Sequence, residues 1–197
     1  VVIAKKPNDV LWNAFRQGDH DAFQQIYRLY AKELLSYGYK VTGNVQLIED
    51  SIHDLFIELW QSRTQLSETD SIKFYLYRSL RNKIVRAQSQ DRLYQAADVD
   101  RVGENQDEFS IEKHLIELEG HEQLLRQLRK SYELLSPRQK QALDLRFTHH
   151  FSNEEIAEIM GINYQSACKF IYSALKVLRE TVRIFCLSLI AFGSDFL

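Results

Sequence analysis

Apolar residues recur at spacings of three and four along almost the whole of this 197-residue chain, and only seven Gly and two Pro interrupt them. That spacing stacks side chains along one face of a helix, so the fold class it predicts is all-α. Local signals mark where the helices begin. Gly18 precedes "DHDAFQQIYRLYAKELLSYGYK", in which Asp19 or Asp21 can cap and Phe23, Ile26, Tyr27, Tyr30 and Leu34 form a stripe. Gly43-Asn44 breaks the chain, and Asn44 can cap a helix running through Trp60. Ser67-Glu68-Thr69-Asp70 reads as a capping-box-like start for a helix reaching to about residue 95.

The stretch "DVDRVGENQDEFS" at 98–110 has no apolar period and carries five acids against one base, so it reads as a linker. Helical pattern resumes at Ile111, and Ser136-Pro137-Arg138-Gln139 and Ser152-Asn153-Glu154-Glu155 are both capping-box starts. These signals predict an N-terminal helical domain over 8–97, an acidic linker over 98–110, a second helical domain over 111–183 and an apolar tail over 184–197. A single helical bundle is the competing arrangement.

A formal net charge of −2 argues against a chain that is basic overall, but the charges are segregated. Residues 44–70 hold six acids and one base, whereas residues 72–90 hold five bases and no acid. On the acidic helix Ile48, Ile52, Leu55, Phe56 and Leu59 share a core face. Asp50 and Asp54 point the other way, beside His53, Ile57 and Trp60. Such a face is either simply solvated or a docking surface for a partner with basic and apolar groups. On the basic helix Leu76, Leu80, Ile84 and Ala87 form the core face, and Tyr75, Arg78, Asn82 and Arg86 fall together opposite it. Guanidinium groups for phosphate, an aromatic ring for stacking and an amide for a base edge suit single-stranded nucleic acid. A merely soluble helix would interleave its charges.

"SNEEIAEIMGINYQSACKFIYSALK" at 152–176 has the spacing of a helix-turn-helix: Gly161 ends the first helix and Asn163 caps the second. Ala167, Ile171, Ala174 and Leu178 make the core stripe of the second helix. Its outer face carries Gln165, Lys169, Tyr172 and Lys176, flanked by Ser166, Cys168 and Ser173. Phe170 lies at the edge of the core stripe and is expected to pack. Arg138, Lys140 and Arg146 upstream can add phosphate contacts. A plain helical hairpin is the alternative.

No glycine-rich phosphate loop, metal-ligand cluster or nucleophile–base pattern is present, so neither an enzyme nor a cofactor is expected. His53 has no Cys or second His on its turn, which argues against a metal. Two Cys fit a reducing compartment, and a cytoplasmic location is expected. The opening "VVIAKKPNDVLW" lacks a signal-peptide pattern and begins without Met, as a processed or shortened chain would. The apolar run "IFCLSLIAF" at 184–192 is about half of what spans a bilayer, so no membrane insertion is expected.

Taken in order, "DAFQQIYRLYAKELLSYGY", "EDSIHDLFIELWQSR", "FYLYRSLRNKIVRAQ" and "LSPRQKQALDLRF…FSNEEIAEIMGINYQSACKFIYSALKVLRE" resemble the RNA polymerase sigma factors of the extracytoplasmic-function class, the two-domain type. The resemblance implies a protein that binds core RNA polymerase, recognises promoter DNA and helps to melt it. It places Asp50, His53 and Asp54 at positions that grip the polymerase clamp helices, although the family usually has Gln where His53 stands. Arg78, Arg81, Asn82 and Arg86 match the helix facing the melted downstream promoter element, and the second helix of the helix-turn-helix would read the upstream element. Cys168, Phe170 and Ser173 occupy positions that are commonly basic or polar in the family, which bears on upstream affinity and not on the fold. An anti-sigma protein is a further partner the resemblance allows. The alternatives are a sigma-like interaction module without productive promoter recognition, and a repressor that binds duplex operator unaided. The apolar tail lies outside the family pattern. It is expected either to complete its own domain or to pack on the N-terminal domain or a second copy.

Overall fold

A computed structural model describes the backbone of residues 7–94 and 119–193 and the side chains of 9–90 and 125–183. Its helices are α1 (Pro7–Arg16), α2 (His20–Val41), α3 (Val45–Ser62), α4 (Ile72–Tyr94), α5 (Glu119–Glu133), α6 (Pro137–Leu143), α7 (Asn153–Met160) and α8 (Tyr164–Gly193). They fall into two compact units, α1–α4 and α5–α8. The expected linker at 98–110 lies outside the described residues, as do the packing partners of the tail side chains beyond Arg183. Among the described residues no helix is long and apolar enough to cross a membrane.

In the first unit the caps expected at two helices are formed. Asp19 Oδ1 accepts from the amides of Asp21 and Ala22 at 2.8 and 3.2 Å, and Asn44 Oδ1 accepts from Leu47 N at 3.1 Å. The α4 start differs from expectation. Ser71 Oγ accepts from Phe74 N at 3.1 Å, while the Ser67 carbonyl accepts from the Trp12 indole at 2.9 Å. A tertiary bond thus holds Ser67 in the loop and moves the cap four residues along. The donor, Trp12, belongs to α1, a helix additional to the sequence reading, and both Trp12 and Phe15 are buried there.

The α3 core face is buried as its periodicity requires, and so are Leu76, Leu80 and Ile84 of α4, whereas Ala87 is half-buried. Tyr27 departs from the expected α2 stripe: it is 49% exposed, with its ring edge-on to Phe56 at 4.8 Å. Tyr77 does the reverse. It is buried against Tyr37 with ring centroids 4.8 Å apart, and its hydroxyl donates to Glu33 Oε2 at 3.3 Å, which satisfies the polar tip.

α2 and α3 approach closely at Gly38, where a β-carbon would collide with Cγ2 of buried Ile48. Alanine has the better helix propensity by about 1 kcal/mol, but overpacking a close-packed core outweighs it. Gly38→Ala is expected to destabilise the unit by about 1–2 kcal/mol net, read as a lower thermal midpoint.

In the second unit one core cluster is formed by Leu135, Leu143 and Ala174, with Tyr132 and Leu178 packed against it, and Leu145, Ile156, Ile159 and Ala167 are fully buried as well. Both predicted capping boxes are present, at Ser136/Gln139 and Ser152/Glu155. Gly161 ends α7 in the left-handed region at φ 61°, as expected of glycine after a last helical turn. Between α6 and α7 the chain makes a π-helical turn over Asp144–Thr148.

Candidate nucleic-acid interface

α3 and α4 lie side by side, and an open groove with a volume of 630 Å³ runs between them. One wall is acidic, with Asp50, Asp54 and Glu58 of α3; the other carries Tyr75, Asn82, Lys83 and Arg86 of α4. The sequence presents an acidic face and a basic face on successive helices, and the packing makes them two walls of one cleft. His53 and Ile57 are exposed but do not line it. They share the outer side of α3 with Trp60, whose ring has His20 at 4.4 Å and the Arg63 guanidinium at 4.4 Å. Arg78 is exposed and Arg81 half-buried, both away from the groove lining.

Cations on α4 are divided by their partners. Lys83 forms an ion pair with Glu58 across the groove, and Lys73 pairs with Glu33 of α2 at 3.0 Å. Neither pairing was visible in the sequence, since the residues are 25 and 40 positions apart. Asn82 and Arg86 remain exposed. Tyr75 differs from the outward stacking platform the helical wheel suggests. It is half-buried, with its ring centroid 5.5 Å from that of Trp12. Burial pushes its hydroxyl up from the ordinary value; a hydrogen bond with Ser79 opposes this and Glu58 reinforces it. The ring is therefore a neutral part of the groove wall. Asp50 accepts a hydrogen bond from Gln46 Nε2 at 2.9 Å and stays exposed.

In the second unit, Asn163 Oδ1 accepts from Ser166 N at 2.8 Å and starts α8. Ala167, Ile171 and Ala174 are buried, and Gln165, Lys169, Tyr172 and Lys176 are exposed on the outer side. Ser166 is half-buried beside them. Cys168 and Ser173, at the flanks of this outer face, turn out to be fastenings. Cys168 Sγ accepts from Asn153 Nδ2 of α7 at 3.4 Å. Ser173 Oγ accepts from Gln139 Nε2 of α6 at 2.8 Å and donates to the Phe170 carbonyl at 3.1 Å. A third bridge joins Ser131 of α5 to Thr181 at 2.6 Å. Polar side-chain contacts thus tie α8 to each of the three preceding helices. The Cys168 thiol, first as hydrogen-bond partner, pushes the hydroxyl of exposed Tyr164 up from its ordinary value. Arg138 is exposed on the first turn of α6, whereas Arg146 donates to the Phe151 carbonyl at 2.9 Å and anchors the turn before α7. Phe170 is half-buried at the edge of the α8 core stripe, as expected. Phe170→Ala should lower the stability of this unit by about 1–3 kcal/mol, seen as an earlier thermal transition.

Residues 26–93 match the family model for sigma-70 region 2, and residues 125–178 match that for sigma-70 region 4. The chain belongs to the sigma-70 family of RNA polymerase sigma factors. RNA polymerase sigma factor YlaC of Bacillus subtilis (strain 168) is 27% identical over 143 residues, covering 72% of this chain and 80% of that one. The fold is similar to that of the sigma factor RpoE in its complex with the anti-sigma factor NepR from Bartonella quintana, with a TM-score of 0.55 and 19% identity. That match covers 82% of this chain and 97% of RpoE. It is also similar to CnrH in complex with the cytosolic domain of CnrY, with a TM-score of 0.55, 14% identity and coverage of 91% and 99%. As a sigma factor the protein binds core RNA polymerase and directs transcription initiation by recognising and helping to melt promoter DNA. The region 2 match contains both walls of the groove, and the region 4 match contains the helix-turn-helix but stops at residue 178. α8 therefore runs on for fifteen residues beyond the sigma pattern, to Gly193.

Proposed function

We propose that the acidic side of α3 holds core polymerase and that the exposed side of α4 holds the melted downstream promoter strand. Asp50, Asp54, His53 and Ile57 form the polymerase contact: two carboxylates beside an imidazole and an aliphatic side chain suit a basic, partly apolar helix surface. Arg78, Arg81, Asn82 and Arg86 supply phosphate and base-edge contacts, with Tyr75 as part of the groove wall. Gln165, Ser166, Lys169, Tyr172 and Lys176 meet the upstream duplex in its major groove, while Arg138 and Arg146 lie toward the flanking phosphates. The observation that carries this reading is the groove itself, in which an acidic wall and a cationic wall face each other within one unit. Polymerase gripped on one side is thereby set beside DNA held on the other.

An anti-sigma protein belongs among the partners in this reading, because the related fold of RpoE occurs in complex with one. The protein itself forms and breaks no covalent bond; polymerase does the chemistry. Run-off transcription with purified core polymerase is the test. Promoter-dependent transcripts that appear only when this protein is added are the expected result. Their absence, with duplex DNA bound tightly by the protein alone, would instead mark a repressor.

A further inference from the structure

Between Tyr164 and Leu178 the exposed side of α8 carries two cations, Lys169 and Lys176, and two flanking positions are taken up by polar fastenings. Cys168 and Ser173 are committed to Asn153 and Gln139. In the first turn of the helix this leaves Gln165 as the exposed side chain with an amide to offer, and none of the described residues hydrogen-bonds it. Lys169 and Lys176 follow along the same side, and no Arg occurs between Tyr164 and Leu178.

Resting on the upstream-reading assignment made above, we propose that Gln165 is the specificity-determining residue of the helix and that it selects an adenine in the upstream element. In a helix-turn-helix the N-terminal residues of the second helix reach the base edges, while residues further along approach the backbone. A glutamine amide donates to adenine N7 and accepts from the adenine amino group, a two-bond match that guanine, with acceptors at both positions, cannot offer. Guanine is read best by a guanidinium, and this stretch of α8 has none. The Asn163 cap fixes the first turn, and the Asn153–Cys168 and Gln139–Ser173 bridges hold the helix on its two flanks. A single amide can therefore act from a preset position. Lys169 and Lys176 lie about one and three turns further along the helix, where side chains approach the backbone.

Sequence selection by the reconstituted holoenzyme tests this, using promoter fragments randomised across the upstream element. Wild-type protein is expected to enrich adenine at one position. Gln165→Ala should flatten the preference there alone and weaken binding to the selected sequence about tenfold. Gln165→Arg should move the preference at that position to guanine, a gain that a misfolded variant does not produce. An unchanged preference profile for both variants would overturn the assignment to Gln165. If wild-type holoenzyme enriched no upstream sequence at all, the upstream-reading role of α8 would fall first, and the adenine inference with it.

Discussion

The doubly reversed variant Asp50→Arg/Asp54→Arg is expected to lose affinity for core polymerase by about a hundredfold or more, with the helical fold retained. Both carboxylates are exposed on α3, whose opposite side is buried through Ile48, Ile52, Leu55, Phe56 and Leu59. Reversing them removes no core contact beyond the Gln46–Asp50 hydrogen bond on the surface. Like charges brought together at an interface cost several kcal/mol, and about 3 kcal/mol corresponds to a hundredfold. The neutral pair Asp50→Asn/Asp54→Asn should fall between wild type and the reversed variant, because it loses attraction without adding repulsion. Titration with core enzyme, alongside thermal melting by circular dichroism, measures both quantities. Wild-type affinity in the reversed variant would show that polymerase docks elsewhere.

Loss of promoter opening is the second large effect. Arg78→Ala/Asn82→Ala/Arg86→Ala should reduce permanganate reactivity of the melted region by an order of magnitude while polymerase binding stays within a few-fold of wild type. Each Arg that contacts a single-strand phosphate contributes about 0.7 to the salt slope of binding, so removal of two should lower it by about 1.4. Lys83→Ala is the informative contrast. Its ammonium is already paired with the Glu58 carboxylate, a partly exposed bridge of the kind worth about 0–1 kcal/mol, so opening should change little. A normal opening signal from the triple variant would reduce the α4 side to a solvated surface.

The difference between Lys83 and Arg86 illustrates what a helical wheel can reveal. Both are cations on one helix, and the sequence counts them equally. Only the packing of α3 on α4 places Glu58 against the first and leaves the second exposed. Tyr75 teaches the same lesson. Its angular position suggested a free aromatic, yet α1, itself absent from the sequence reading, brings Trp12 against it. Cys168 and Ser173 looked like weak reading residues, and their partners on α7 and α6 explain why those positions need no charge.

Most helices, most of their start signals and the helix-turn-helix were legible in the residues alone because each depends on atoms within about one turn; α1 and the start of α4 were the exceptions. A cap is a side chain bonded to a backbone amide two or three positions on, and an apolar stripe is a spacing of three and four. Such terms act before any helix meets another, so Asn44, Ser136, Ser152 and Gly161 could be assigned in advance, and the first cap narrowed to Asp19 or Asp21. Which charges cancel, which polar groups fasten one helix to the next, and the joining of an acidic and a basic surface into one groove depend on contacts between residues distant in the chain. The pairs Glu33–Lys73, Glu58–Lys83 and Gln139–Ser173 arise only when helices pack at particular angles and depths. That packing is set by the summed burial of many apolar side chains, a property that no local window contains.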